Sequence, residues 1–88
     1  MLVLTEAAGD YLTKLLEETR APREAAIRIV EERGDLKPRI DEPREGDETF
    51  NHAGRKVLLL DPDVSRALAN SKLDIEEADR GLKLTRVA

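Results

Sequence analysis

The chain has 88 residues, 40% hydrophobic and 39% charged, with no cysteine and a formal net charge of −4. The missing cysteines remove disulfides, thiolate metal sites, cysteine nucleophiles and redox switching together. The acidic balance, with basic residues scattered among acids and two aromatics, Tyr11 and Phe50, argues against nucleic-acid binding.

A chain this short buries roughly 60–65% of its unfolded surface, so we read residues 1–88 as one domain. No stretch approaches the roughly 20 apolar residues needed to span a membrane. The start, "MLVLTEAAGD", lacks the basic n-region and long apolar core of a signal peptide. A cytoplasmic protein with no membrane partner is the resulting expectation.

In chain order, Leu2, Val3 and Leu4 form a short apolar run that predicts a strand. Thr5 stands where a helix N-cap belongs, with Glu6 in the first turn to suit the helix dipole. Ala8, Tyr11, Leu12, Leu15 and Leu16 recur at helical spacing, with Asp10, Lys14, Glu17 and Glu18 opposite, and predict a helix over 6–19. Gly9 inside it costs about 1 kcal/mol against alanine, which points to close packing there. Pro22 marks the exit.

Residues 25–32 alternate, with Ile27 and Ile29 on one side and Arg28 on the other, and predict a strand. Gly34-Asp35 reads as a turn. Leu36, Pro38 and Ile40 then share a face against Lys37 and Arg39. Pro38 cannot donate to a ladder, so this strand belongs at an edge or carries a bulge. The acidic segment 41–48 contains the loop residues Pro43 and Gly46.

Phe50 and His52 alternate with Thr49 and Asn51, and Ala53-Gly54 makes a tight turn into a return strand over 55–60, a hairpin. Val57, Leu58, Leu59 and Leu60 are apolar on both faces, which predicts a central or doubly covered strand. Asp61-Pro62 is an N-cap with proline at the first helical position. Val64, Ala67 and Leu68 make the buried stripe of a short helix ending near Asn70. Leu73 with Ile75, and Leu82 with Leu84, predict two closing strands around a turn at Asp79-Arg80-Gly81. The fold class is therefore α+β and β-rich, with mostly antiparallel or mixed short strands, one N-terminal helix and one short later helix. The repeated βαβ alternation of a doubly wound nucleotide fold is absent.

Candidate chemistry is sparse. Asp41, Glu42, Glu45, Asp47 and Glu48 do not follow the spacing of a calcium loop, and Pro43-Arg44 interrupts them, so the segment reads as a solvated loop. His52 is the one imidazole; without cysteine or a second histidine, any metal would rest on carboxylates, and its place beside a hairpin turn reads as a surface position. Ser65 and Ser71 stand in no nucleophile-elbow pattern, Ser71 reading as a helix-exit residue. The glycines at 34, 46, 54 and 81 are isolated and build no phosphate loop. An enzyme is not expected.

Three stretches carry a resemblance: "LTEAAGDYLTKLLEE", "DEPREGDETFNHAGRKVLLLDPDV" and "KLDIEEADRGLKLTRVA". In their order they resemble the HesB-like or IscA-like domain of iron–sulfur cluster biogenesis, the A-type carriers, over nearly the whole chain. The resemblance implies a HesB-like fold and a setting in iron–sulfur maturation. In that family three cysteines hold iron or a cluster, one in a glycine-rich loop after the second strand and two in a C-terminal tail. The first should fall within "VEERGDLKPRIDEP", which contains none, looks several residues shorter than the usual loop and keeps only Gly34 of the glycine-rich turn. The tail pair would begin where Val87-Ala88 stand. Asp35 alone cannot substitute as an oxygen ligand.

No family site residue carries over, and neither a catalytic nor a cofactor-binding nor a metal-ligating residue is assigned. The expectation is a cysteine-less, non-catalytic accessory or interaction module without cofactor, with protein partners that are either a second copy or iron–sulfur maturation proteins. The alternative is a metal-binding protein with oxygen ligands, which needs Asp41, Glu42, Asp47 or His52 to converge.

Overall fold

The computed structural model describes residues 1–76 and 81–86. Its elements run β1 (Val3–Leu4), α1 (Glu6–Glu18), β2 (Ala26–Glu32), β3 (Asp35–Asp41), β4 (Glu48–His52), β5 (Arg55–Leu60), α2 (Pro62–Ala67), β6 (Ser71–Glu76) and β7 (Gly81–Arg86). The strands form two sheets, a three-stranded one in the order β1-β6-β7 and a four-stranded one in the order β3-β2-β5-β4. β1 runs parallel to β6 and β2 parallel to β5, while the three hairpin pairs are antiparallel. This is the α+β, β-rich class that the residue pattern predicts.

Local chemistry places the elements. The Thr5 hydroxyl accepts from Ala8 N (3.1 Å) to start α1 and donates to Asp74 Oδ1 (2.9 Å), tying the helix start to β6. The Asp61 carboxylate accepts from Val64 N (2.9 Å), with Pro62 in the first turn of α2. Both β-hairpins within the four-stranded sheet turn on two residues with positive φ: Arg33 (53°) with Gly34 (83°), and Ala53 (52°) with Gly54 (80°). Positive φ at both central positions is the signature of the type I′ turn, whose twist matches that of the flanking strands.

β5 is central, and Val57, Leu58, Leu59 and Leu60 are fully buried, as four consecutive apolar residues require. β3 is at the sheet edge, where Pro38 loses no ladder bond. α1 lays Leu12 and Leu16 against the four-stranded sheet and against β6, so its apolar stripe joins the two sheets in one core.

Four details differ from the sequence reading. The β2–β3 turn is Arg33-Gly34, and Asp35 already belongs to β3. α2 stops at Ala67 with Leu68 as its cap; a six-residue helix buries one stripe, Val64 and Leu68, and leaves Ala67 exposed. Ser71 opens β6 and is buried, where a helix exit was expected. Arg28, placed by alternation on the side of β2 opposite Ile27 and Ile29, is only 3% exposed, a burial the alternation does not reveal. The turn expected at Asp79-Arg80-Gly81 lies largely outside the described residues.

Candidate functional site

The resemblance puts its first cysteine at the β2–β3 connection, and here the connection is the two-residue turn Arg33-Gly34, exposed and with no atom near the position a Gly34 Cβ would take. No thiolate stands there or anywhere in the sequence. Asp35 follows it at the exposed start of β3. Cluster iron is held by thiolates, with imidazole as the occasional replacement. The donors present are one imidazole and dispersed carboxylates, and they do not fit an iron–sulfur cluster.

The acidic segment is organised from within. Arg28 projects from β2 beneath it. Its Nε donates to Asp41 Oδ2 (2.8 Å), Nη1 to Asp47 Oδ1 (2.9 Å), and Nη2 to Asp47 Oδ2 (2.7 Å) and to the Glu42 carbonyl (3.1 Å). The side chains of Arg28 and Asp47 are each 3% exposed. Arg44 closes the ring, its backbone N–H donating to Asp47 Oδ2 (2.7 Å) and its guanidinium to Asp41 Oδ2 (2.8 Å).

These bonds set the electrostatics. Arg28 donates directly to the Asp47 carboxylate and holds it below the usual value of 3.8, aided by the Arg44 N–H and opposed by burial. The Glu42 N–H, then Arg28, lower the Asp41 carboxyl in the same way. Hydrogen bonding to Asp47 raises the Arg28 guanidinium further still. The segment read as solvated is therefore a clasp over a buried cation. The physical reason is that a guanidinium inside a sheet needs its five donors answered, and the nearest acceptors are the aspartates that end β3 and precede β4. Of the five acids, Glu42 and Glu45 keep exposed carboxylates as the solvated reading has it, Glu42 joining the clasp through its backbone alone; Glu48 accepts from the Ser65 hydroxyl (2.6 Å).

His52 is less exposed than a hairpin-tip position implies, at 19%, because its ring lies on Gly9 of α1. A Cβ at Gly9 would stand 2.4 Å from His52 Nδ1, so the glycine provides the close packing expected of it. His52 Nε2 donates to Asp10 Oδ1 (2.7 Å). The metal reading asks Asp41, Glu42, Asp47 and His52 to share a focus. The two aspartates face Arg28, and His52 faces Asp10 on the helix. Among the described residues no group of three or more His, Asp or Glu is placed to hold a metal ion.

The sequence reading missed two features. One is the Arg28 clasp, whose signal is a lone arginine inside "AIRIV", flanked by apolar residues that a strand would bury. The other is an apolar groove of about 340 Å³ between the sheets, with Leu36 and Pro38 of β3 on one wall, Leu82 and Leu84 of β7 on the other, and Tyr11 and Leu15 of α1 between them. Leu36 and Leu84 are 40% and 39% exposed, so the apolar lining of the groove reaches solvent on both walls. No helix among the described residues is long and apolar enough to cross a membrane.

The fold is shared with two solved structures. The structure superposes on SufA of Escherichia coli, which is involved in biosynthesis of iron–sulfur clusters, with a TM-score of 0.71, 24% identity, and coverage of 99% of this chain and 87% of SufA. It is also similar to a protein from Aquifex aeolicus solved by NMR, with a TM-score of 0.64, 19% identity, and coverage of 97% and 90%. No family model matches the sequence, and neither does any curated protein. The resemblance drawn from the sequence is thus borne out at the level of fold, and the comparison carries it there without help from the cysteines.

Proposed function

We propose that this chain is a non-catalytic interaction module of iron–sulfur maturation, working in the cytoplasm as one domain and acting through its surface rather than through bound iron. The fold it shares with SufA supports the setting. The observation that carries the mode of action is the donor set. The hairpin where the resemblance puts the first ligand is closed by Arg33-Gly34, and two of the acids that oxygen-ligand iron binding would need, Asp41 and Asp47, are spent on Arg28. Recruiting either aspartate to iron would leave the buried guanidinium without its partner, a cost of about 3 kcal/mol or more. What remains for function is the exposed surface, of which the apolar groove is the part least expected of an inert scaffold.

The test is an anaerobic titration of isotope-labelled protein with ferrous iron, read by amide NMR, with magnesium as the control. The module reading expects no iron-specific change over 41–52. Saturable changes there that magnesium does not reproduce would overturn it in favour of oxygen-ligand iron binding at the acidic segment and His52.

A further inference from the structure

The groove is walled by two sheet edges that no strand among the described residues pairs. β3 is the outer strand of the four-stranded sheet and β7 that of the three-stranded one, and Leu36, Pro38, Leu82 and Leu84 bring both to the same cavity. An exposed edge is a row of unpaired backbone donors and acceptors, a template for an incoming strand unless something blunts it.

β3 is blunted. In a two-residue hairpin the residues flanking the turn form a hydrogen-bonded pair, here Glu32 and Asp35. The alternation that follows turns the backbone groups of positions 36, 38 and 40 outward, and position 38 is proline, with no N–H to offer. Lys37 and Arg39 also bind Glu32 on the strand's other face, adding charge to that edge.

β7 is not blunted. Residues 81–86 contain no proline, and their other edge is occupied by β6 in continuous register from Ser71↔Arg86 to Glu76↔Gly81. Leu82, Leu84 and Arg86 alternate with Lys83 and Thr85, so the strand shows leucines to the groove and a cation to the other face. In a chain of net charge −4, β7 carries two cations and no acid. Among the described residues the acids beside Lys83 are Asp74, opposite it in register, and Glu76 at 3.7 Å, and both stand on β6, away from the open edge.

We propose that the open edge of β7 takes a β-strand from a partner protein, an extended segment in which apolar residues alternate with acidic ones. Backbone pairing along 81–86 supplies the affinity. The apolar side chains enter the groove beside Leu82 and Leu84, and the acids stand opposite Lys83. A second copy docking β7 on β7 is disfavoured, because that pairing adds a second Lys83 to the same face and neither β7 strand offers it an acid. The inference rests on the reading of the chain as an interaction module and names the surface and the partner's chemistry.

The probe is a blocked heptapeptide of alternating valine and glutamate, titrated into the labelled 88-residue protein and followed by amide NMR. The control peptide has serine at each valine. The expected result is saturable shifts confined to 81–86 and to Tyr11 and Leu15, a silent control, and at least tenfold weaker binding by the Lys83→Glu variant. Shifts along β3 instead, equal responses to both peptides, unchanged binding by Lys83→Glu, or no response overturn the assignment. So does a concentration-dependent dimer that broadens 81–86 without peptide, which would give the edge to a second copy. Failure here with a silent iron titration removes β7 and leaves the module reading; iron-specific binding at 41–52 removes that reading whatever the peptide does.

Discussion

Arg28 and Asp47 meet through two parallel hydrogen bonds, Nη1 to Oδ1 at 2.9 Å and Nη2 to Oδ2 at 2.7 Å, with both side chains out of water. A forked pair of this kind is stronger than a single charge-assisted bond. Breaking a buried pair from one side leaves a charge uncompensated. Arg28→Met is therefore expected to cost about 3 kcal/mol or more in urea denaturation, since it strands Asp47 and frees Asp41 and the Glu42 carbonyl. Asp47→Asn keeps the shape and loses the charge, and should cost about 1–3 kcal/mol. A double-mutant cycle between the two should show strong coupling. Additive losses would mean that the geometry contributes nothing as a pair.

The same clasp sets an acid sensitivity. Asp47 and Asp41 have folded-state values lowered below the ordinary 3.8, through Arg28 for the first and the Glu42 N–H for the second. Carboxylates lowered in the folded state bind fewer protons there than in the unfolded chain. Their stabilisation is fully present well above 3.8 and is lost as pH falls through the depressed folded values. The urea midpoint should hold steady from pH 7 to about 5 and then fall. Asp47→Asn should flatten the fall without abolishing it, because Asp74, lowered by the Ile75 N–H and then by the Thr5 hydroxyl, titrates in the same direction. A variant as acid-sensitive as the parent would remove Asp47 from the account.

The elements were legible where local physics decides them. Thr5 and Asp61 cap their helices as their types prescribe, the β5 run is buried on both faces, and Pro38 lies on an edge. Legibility failed where partners come from distant positions. Alternation places Arg28 opposite Ile27 and Ile29, but not whether that face meets water; Asp41 and Asp47, 13 and 19 residues away, decide it. The groove failed for the same reason, since its walls come from β3 and β7, in different sheets. Gly9 is intermediate. Its helix penalty signals a close approach, yet nothing local names His52 as the neighbour.

That approach can be tested by a cycle of its own. In isolation Gly9→Ala should favour the helix by about 1 kcal/mol. In the folded protein the added methyl meets the His52 ring at 2.4 Å and forces it off the helix and away from Asp10, so the substitution should destabilise overall, by about 1–3 kcal/mol. In a His52→Ala background the obstruction is gone, and Gly9→Ala should become stabilising. The reversal of sign in thermal or urea unfolding is the check; the same sign in both backgrounds would show that the ring yields freely.

The two I′ turns give a prediction in the stabilising direction. Arg33 and Ala53 hold φ of 53° and 52°, a region that costs most side chains and that asparagine tolerates. Each precedes a glycine with positive φ, so Arg33→Asn and Ala53→Asn both complete the preferred Asn-Gly pair without touching the core. Each should raise stability by about 0.5 kcal/mol, and because the turns lie in separate hairpins the two gains should add. The Arg33 substitution carries more weight than its size implies, because the turn occupies the place where the resemblance puts its first cysteine. Had that place kept a ligand's role, the residue there would answer to a metal and not to the turn. A gain equal to that at Ala53, with the response to ferrous iron unchanged, is what a hairpin answering only to its own backbone geometry should give. A gain at Ala53 without one at Arg33 would show that something beyond the turn still constrains the position.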